Sequence, residues 1–130
     1  RILIVALAIS QITAGYITTK AEYDALSGGY KPVTLFVGRS EKNYQTFLAV
    51  TEKLAQEGFV SAAVDTATAD QQFLGEIGVN EPADGYYIRV RHPGGGKRDY
   101  YEYSIDENRL AEFIIYRSMR DLDNQNLITL

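Results

Sequence analysis

Lys31-Pro-Val-Thr-Leu-Phe-Val-Gly-Arg-Ser-Glu-Lys-Asn43 decides the fold. Proline is tolerated at the first position of a strand, where its missing N–H costs little, so Pro32 opens one. Val33, Leu35 and Val37 alternate with Thr34 and Phe36, so both faces are nearly apolar and the strand is predicted to be central and covered on both sides. It stops at Gly38-Arg39, and Ser40 is expected to cap a helix whose backbone N–H groups its side chain accepts. A strand that ends on a helix N-terminus is where α/β domains usually place chemistry, because unpaired N–H groups and positive potential meet there.

Outward from that junction the chain alternates strands and helices. Tyr16–Thr19 is a short β-branched strand, and Thr19 caps a helix over Ala21–Leu26 that Ser27-Gly-Gly closes. The long helix runs from Glu41 to about Gly58, with Tyr44, Phe47, Leu48, Thr51, Leu54 and Ala55 on one face. Phe59–Val64 is a further apolar strand, followed by a helix from Ala69 to about Ile77. Tyr86–Arg91 and Arg98–Tyr103 form a hairpin around His92-Pro-Gly-Gly-Gly-Lys97. Ser104 or Asp106 caps a last helix that reaches about Met119, and residues 121–130 show no clear element. The order β-α-β-α-β-α-β-β-α predicts an α/β three-layer sandwich: a mixed central sheet, parallel in its βαβ core and antiparallel at the hairpin, with helices on both faces.

Residues 1–15 stand apart. Arg1, the eight apolar residues Ile2–Ile9 and the small-residue exit Thr13-Ala-Gly15 have the pattern of a signal peptide, while the Ile/Leu/Val content also permits an extra buried strand. The run is too short to span a bilayer as a helix. The remaining domain is expected over residues 16–120.

Composition narrows the function. A net charge of −4 and a pI near 5.0 disfavour nucleic acid or an anionic membrane as the main partner. The 17 acidic residues are offset by 13 basic ones, too mild an excess for a calcium buffer. No cysteine is present, which removes thiol–disulfide exchange, thiolate metal sites and cysteine nucleophiles together.

The βαβ order, the Pro-Val-Thr-Leu-Phe-Val-Gly strand with its Ser-Glu-Lys-Asn helix start, the Phe-Val-Ser-Ala-Ala-Val-Asp65 strand and the Tyr-Ile-Arg-Val-Arg-His-Pro93 hairpin resemble the thioredoxin-like superfamily. More narrowly they are similar to the redox-inactive b-type domains of the protein disulfide isomerase family and their relatives in calsequestrin. Active members carry two cysteines, separated by two residues, in the turn after the central strand. The resemblance implies that Arg39, Ser40, Glu41, Lys42 and Asn43 occupy that turn, leaving the active site vacant. A cis-proline precedes the fourth strand in active members. Pro82 lies in about that region, but Ala83-Asp-Gly85 separate it from Tyr86 and the register is off. The resemblance further implies a module that binds a protein partner or takes part in a larger assembly, a homo-oligomer included. It also implies residence in the endoplasmic reticulum lumen or the secretory pathway.

The residues themselves name no catalytic group, metal site or cofactor. Ser40 with Glu41 and Asn43 lacks a nearby histidine to act as base, so capping is the expected role. His92, the one histidine, is expected as a solvated turn residue. Pro93-Gly-Gly-Gly-Lys97 lacks the Ser or Thr and the following helix of a phosphate loop. The hairpin gathers Tyr86, Tyr87, Arg89, Arg91, Lys97, Arg98, Tyr101 and Tyr103, an aromatic and basic set suited to docking a partner. Two alternatives remain: a small-thiol enzyme of glutathione type using Ser40 or Tyr44, and a weak calcium-responsive assembly protein.

Overall fold

A computed structural model describes residues 15–81, 85–102 and 104–129, with residues 120–129 by their backbone alone. Its elements are α1 (Lys20–Ser27), β1 (Val33–Gly38), α2 (Glu41–Ala55), β2 (Val60–Val64), α3 (Gln71–Glu76), β3 (Tyr86–Arg91), β4 (Lys97–Tyr100) and α4 (Glu107–Thr129). The sheet order is β2-β1-β3-β4. β1 runs parallel to β2 in the register Val33↔Val60 and antiparallel to β3 in the register Phe36↔Ile88, and β4 closes the hairpin with Ile88↔Tyr100. β1 is therefore the inner strand joining the parallel and antiparallel halves, and all six of its residues are buried.

Its alternation divides the core in two. Val33, Leu35 and Val37 face Tyr23 of α1 and Phe73 and Leu74 of α3. Phe36 turns the other way, onto Phe47, Val50 and Leu54 of α2 and Leu110 and Ile114 of α4. A strand apolar on both faces is what a sheet between two helical layers demands. Burying Phe36 and Phe47 stabilises the fold by about 2–3 kcal/mol each.

Several boundaries differ from expectation. The strand at Tyr16–Thr19 shrinks to one parallel bridge, Tyr16↔Ala63. Thr18 and Thr19 leave the sheet because both backbone N–H groups donate to Glu22 Oε1, completing a capping box for α1. β4 ends at Tyr100 rather than Tyr103, and the Glu102 carbonyl accepts the Tyr86 hydroxyl at 3.0 Å. α2 ends at Ala55, short of Gly58, and α3 covers only Gln71–Glu76. α4 runs past Met119 to Thr129, through part of the stretch in which no element was expected. The apolar run Ile2–Ile9, Pro82 and Tyr103 lie outside the described residues.

Candidate functional site

The turn after β1 is built by bonds from three directions. The Arg39 N–H donates to the carbonyl of Gly85 at 3.2 Å, which ties the turn to the loop entering β3. The Arg39 Nε pairs with Asp65 Oδ2, and Asp65 Oδ1 in turn accepts the Ala67 N–H at 2.9 Å. This pair follows from the parallel register. Val37 lies beside Val64, so the residues just past both strand ends emerge together. Burial opposes charge on Asp65, but its bonds to Arg39 and to the Ala67 N–H outweigh that and hold the carboxyl below its ordinary range.

Ser40 stands at the N-cap of α2, but its side chain makes no capping bond to the backbone, contrary to expectation. Its hydroxyl accepts the Asn43 Nδ2 amide at 2.8 Å instead, and Asn43 Oδ1 accepts the Ile105 N–H at 3.1 Å. Asn43 is buried and so clamps the start of α2 to the segment entering α4. Glu41 accepts the Gln45 side-chain amide at 2.9 Å, and Lys42 is exposed.

Two clefts flank this turn. One, of about 360 Å³, is lined by Tyr16, Arg39, Glu41, Tyr44, Asp65 and Thr68. The other, of about 400 Å³, is lined by Ser40, Lys42, Asn43, Gly85, Tyr86 and Glu102. Between them rings pack in series: Tyr16 on Tyr44 with centroids 5.0 Å apart, Tyr44 on Phe36 at 5.4 Å, and Phe36 stacked on Tyr86 at 5.3 Å. Burial, aided by Glu41, raises the Tyr44 phenol above its ordinary range, and burial pushes Tyr86 up to about 12. These phenols stay protonated at neutral pH.

The structure scatters the hairpin residues expected to dock a partner. Arg89 is 2% exposed. It makes two bonds to Asp99, Nε–Oδ1 at 2.7 Å and Nη2–Oδ2 at 2.9 Å, while its Nη1 donates to the Gly78 carbonyl at 2.6 Å and to Glu81 at 3.1 Å. Tyr87 is buried, with its hydroxyl on the Glu81 carbonyl, and burial pushes its phenol up to about 12. Tyr86 is half-buried. Arg91, also half-buried, lies over the Tyr23 ring and donates to its hydroxyl at 3.2 Å. Lys97, Arg98 and Tyr101 face outward. His92 is not a solvated turn residue: it is 1% exposed, and its Nε2 lies 3.0 Å from the Arg117 carbonyl, because the hairpin turn packs onto α4.

Asp65 and Asp99 were not singled out from the sequence. Counting outward from the expected turn His92–Lys97 sets Asp99 opposite Val90; β4 starts one residue earlier, at Lys97, and that register brings Asp99 opposite Arg89. Among the described residues no group of three or more histidines or carboxylates could hold a metal ion, and no helix is long and apolar enough to cross a membrane.

No family model and no curated protein matches the chain. Solved structures do. The chain superimposes on a mutant thioredoxin from Halobacterium salinarum NRC-1 with a TM-score of 0.60 at 17% identity, covering 83% of this chain and 93% of that one. The J-Trx1 fragment of ERdj5 gives 0.60 at 13% identity, over 84% of this chain and 53% of the fragment. The zinc-bound form of human ERp44 gives 0.56 at 17% identity, over 88% of this chain and 32% of that one. The chain thus spans about half of the ERdj5 fragment and about a third of ERp44. The strand order, the helices on both faces and these superpositions together identify a thioredoxin-like fold, carried here by a chain without cysteine.

Proposed function

We propose that this chain is a redox-inactive thioredoxin-like module that serves as a protein-binding or structural subunit. The observation that carries the reading is the pair Ser40–Asn43. Two residues separate them at a helix start, the placement of the two cysteines in active members. Their side chains are joined by a 2.8 Å hydrogen bond and anchored to Ile105. The position that would exchange disulfides is thereby committed to holding α2 and α4 together. Lys97, Arg98 and Tyr101 supply an outward basic and aromatic edge for a partner. The signal-like run Ile2–Ile9 supports placing the module in the secretory pathway.

A small-thiol enzyme is less well supported. Ser40 Oγ is engaged by Asn43, and the Tyr44 phenol is shifted away from ionisation, the opposite of an activated group.

Two measurements on the purified chain test the proposal. Insulin reduction should stay at the buffer rate. A fluorescein-labelled unfolded polypeptide should give a saturable rise in anisotropy, weakened by Arg98→Ala and Tyr101→Ala. Disulfide turnover above buffer, or anisotropy that never rises, would overturn it.

A further inference from the structure

Tyr101 is 69% exposed and follows the last residue of β4 in a stretch without regular structure. Its ring lies 5.9 Å from that of Tyr87, and its hydroxyl donates to Asp99 Oδ2 at 3.1 Å. That carboxylate is the bidentate partner of the buried Arg89, whose Nη1 fastens the Gly78 carbonyl and Glu81. An exposed phenol is thus two bonds from the guanidinium that pins the loop before β3 to the hairpin. Tyr30 differs. It is 71% exposed, but its neighbours are Gly29 and Lys31, whereas Tyr101 is surrounded in sequence by Asp99, Glu102, Asp106 and Glu107.

We propose that Tyr101 is a modification site, its phenolic oxygen accepting an anionic ester group that unlatches Asp99 from Arg89. The donor is a nucleoside triphosphate, giving a phosphoryl ester, or a phosphoadenylyl sulfate, giving a sulfuryl ester. In either case the phenolic oxygen attacks the terminal phosphorus or sulfur. The new O–P or O–S bond forms as the bond to the nucleotide leaving group breaks, and the phenolic proton passes to the transferase's base. A phosphoryl ester brings nearly two negative charges to neutral pH, a sulfuryl ester one.

That charge arrives beside the Asp99 carboxylate, where the hydroxyl had donated a hydrogen bond. Attraction becomes like-charge repulsion. Lys97, whose ammonium is 3.6 Å from Glu81, and Arg98 are the exposed cations nearest in sequence to take up the new anion. Lys97 moving to the ester leaves Glu81, and Asp99 moving from the ester loosens its hold on Arg89. Both shifts weaken the hold on the segment at Gly78–Glu81, where Arg89 and Lys97 supply the charged ties to the hairpin and the Tyr87 hydroxyl on the Glu81 carbonyl remains.

The test treats the recombinant chain in two arms: a broad-specificity tyrosine kinase with ATP, and a tyrosylprotein sulfotransferase with phosphoadenosine phosphosulfate. Peptide mass spectrometry maps the ester, and amide hydrogen exchange reads the coupling. In at least one arm Tyr101 should be modified in preference to Tyr30, and Tyr101→Phe should lose that modification. Amides at 78–81 should then exchange about tenfold faster, corresponding to ~1.4 kcal/mol of local opening energy, with unmodified Tyr101→Phe much closer to the parent chain. The site is overturned if neither arm modifies Tyr101 or if Tyr30 is preferred in both. The latch is overturned if Tyr101 is modified while exchange at 78–81 stays unchanged. The two arms tell phosphoryl from sulfuryl transfer.

Discussion

Replacing Asp99 by alanine would strand a guanidinium that the fold has taken out of water, since Arg89 is 2% exposed and Asp99 supplies two of its bonds. Breaking one side of such a pair costs about 3–5 kcal/mol, mostly as uncompensated charge, so Asp99→Ala should lower the urea midpoint sharply. Arg89→Met in the same chain should restore part of the loss, because an apolar side chain of similar length leaves no charge to strand. The pair also sets an acid response. Burial opposes ionisation of Asp99, but the hydrogen bonds and charge of Arg89 prevail and its carboxyl falls below the ordinary range. A carboxyl depressed in the folded state contributes stability that is complete above the unfolded value of about 4 and is lost as pH falls through the lower folded value. Urea midpoints measured from pH 7 down to acid should therefore fall below about pH 4 in the parent chain, and Asp99→Asn should show a shallower fall. His92 shows what residue-level reading could not reach. A lone polar ring in a glycine-rich turn looks solvated until α4, 25 positions away at Arg117, comes to cover it.

Among elements, the two helix starts make a matched comparison. α1 carries a full capping box between Thr19 and Glu22, whereas the side chain at the α2 N-cap bonds no backbone amide. Thr19→Ala should therefore cost about 1 kcal/mol through its lost cap, whereas Ser40→Ala should cost about 1 kcal/mol through the Asn43 amide left without its acceptor rather than through capping. Asn43→Ala should cost more than Ser40→Ala, about 1–3 kcal/mol, since it leaves the half-buried Ile105 amide without its acceptor. Denaturant unfolding of the three variants gives the ranking directly. The β1 strand was legible because it is apolar on both faces and bounded by Pro32 and Gly38, all within a few residues. The cap at Ser40 was not, because Asn43 is drawn away by Ile105 in a segment 62 residues further on. The strand ends failed for a similar reason. Thr18 and Thr19 favour the sheet by propensity, but two bonds to Glu22 reward leaving it.

At the scale of the whole molecule, the parallel pair, the antiparallel hairpin and the helical layers could be deduced from βαβ alternation and the turn, since parallel neighbours need a crossover and consecutive strands pair across a tight turn. The antiparallel join of β1 to β3 has no local signal. The proposed equivalence of the Ser40–Asn43 turn to a disulfide site rests on the resemblance alone, and it invites a direct experiment. Ser40→Cys with Asn43→Cys places two thiols where the side chains already approach within 2.8 Å at a helix N-terminus. That setting lowers a thiol's pKa. The double variant should close to a disulfide under mild oxidant and gain insulin reduction over the parent chain, with free-thiol titration and the turbidity assay as readouts. A pair that stays open would mean the turn does not have the geometry ascribed to it.

The run of rings from Tyr16 through Tyr44 and Phe36 to Tyr86 has an optical consequence. The chain has no tryptophan, so its near-ultraviolet circular dichroism comes from tyrosine and phenylalanine alone. Rings fixed about 5 Å apart exchange excitation and acquire chirality from one another, so these four weigh heavily in that signal. Because three of them border the two clefts beside the Arg39–Asn43 turn, the spectrum of the intact, unlabelled protein is a built-in gauge of whether anything has entered there.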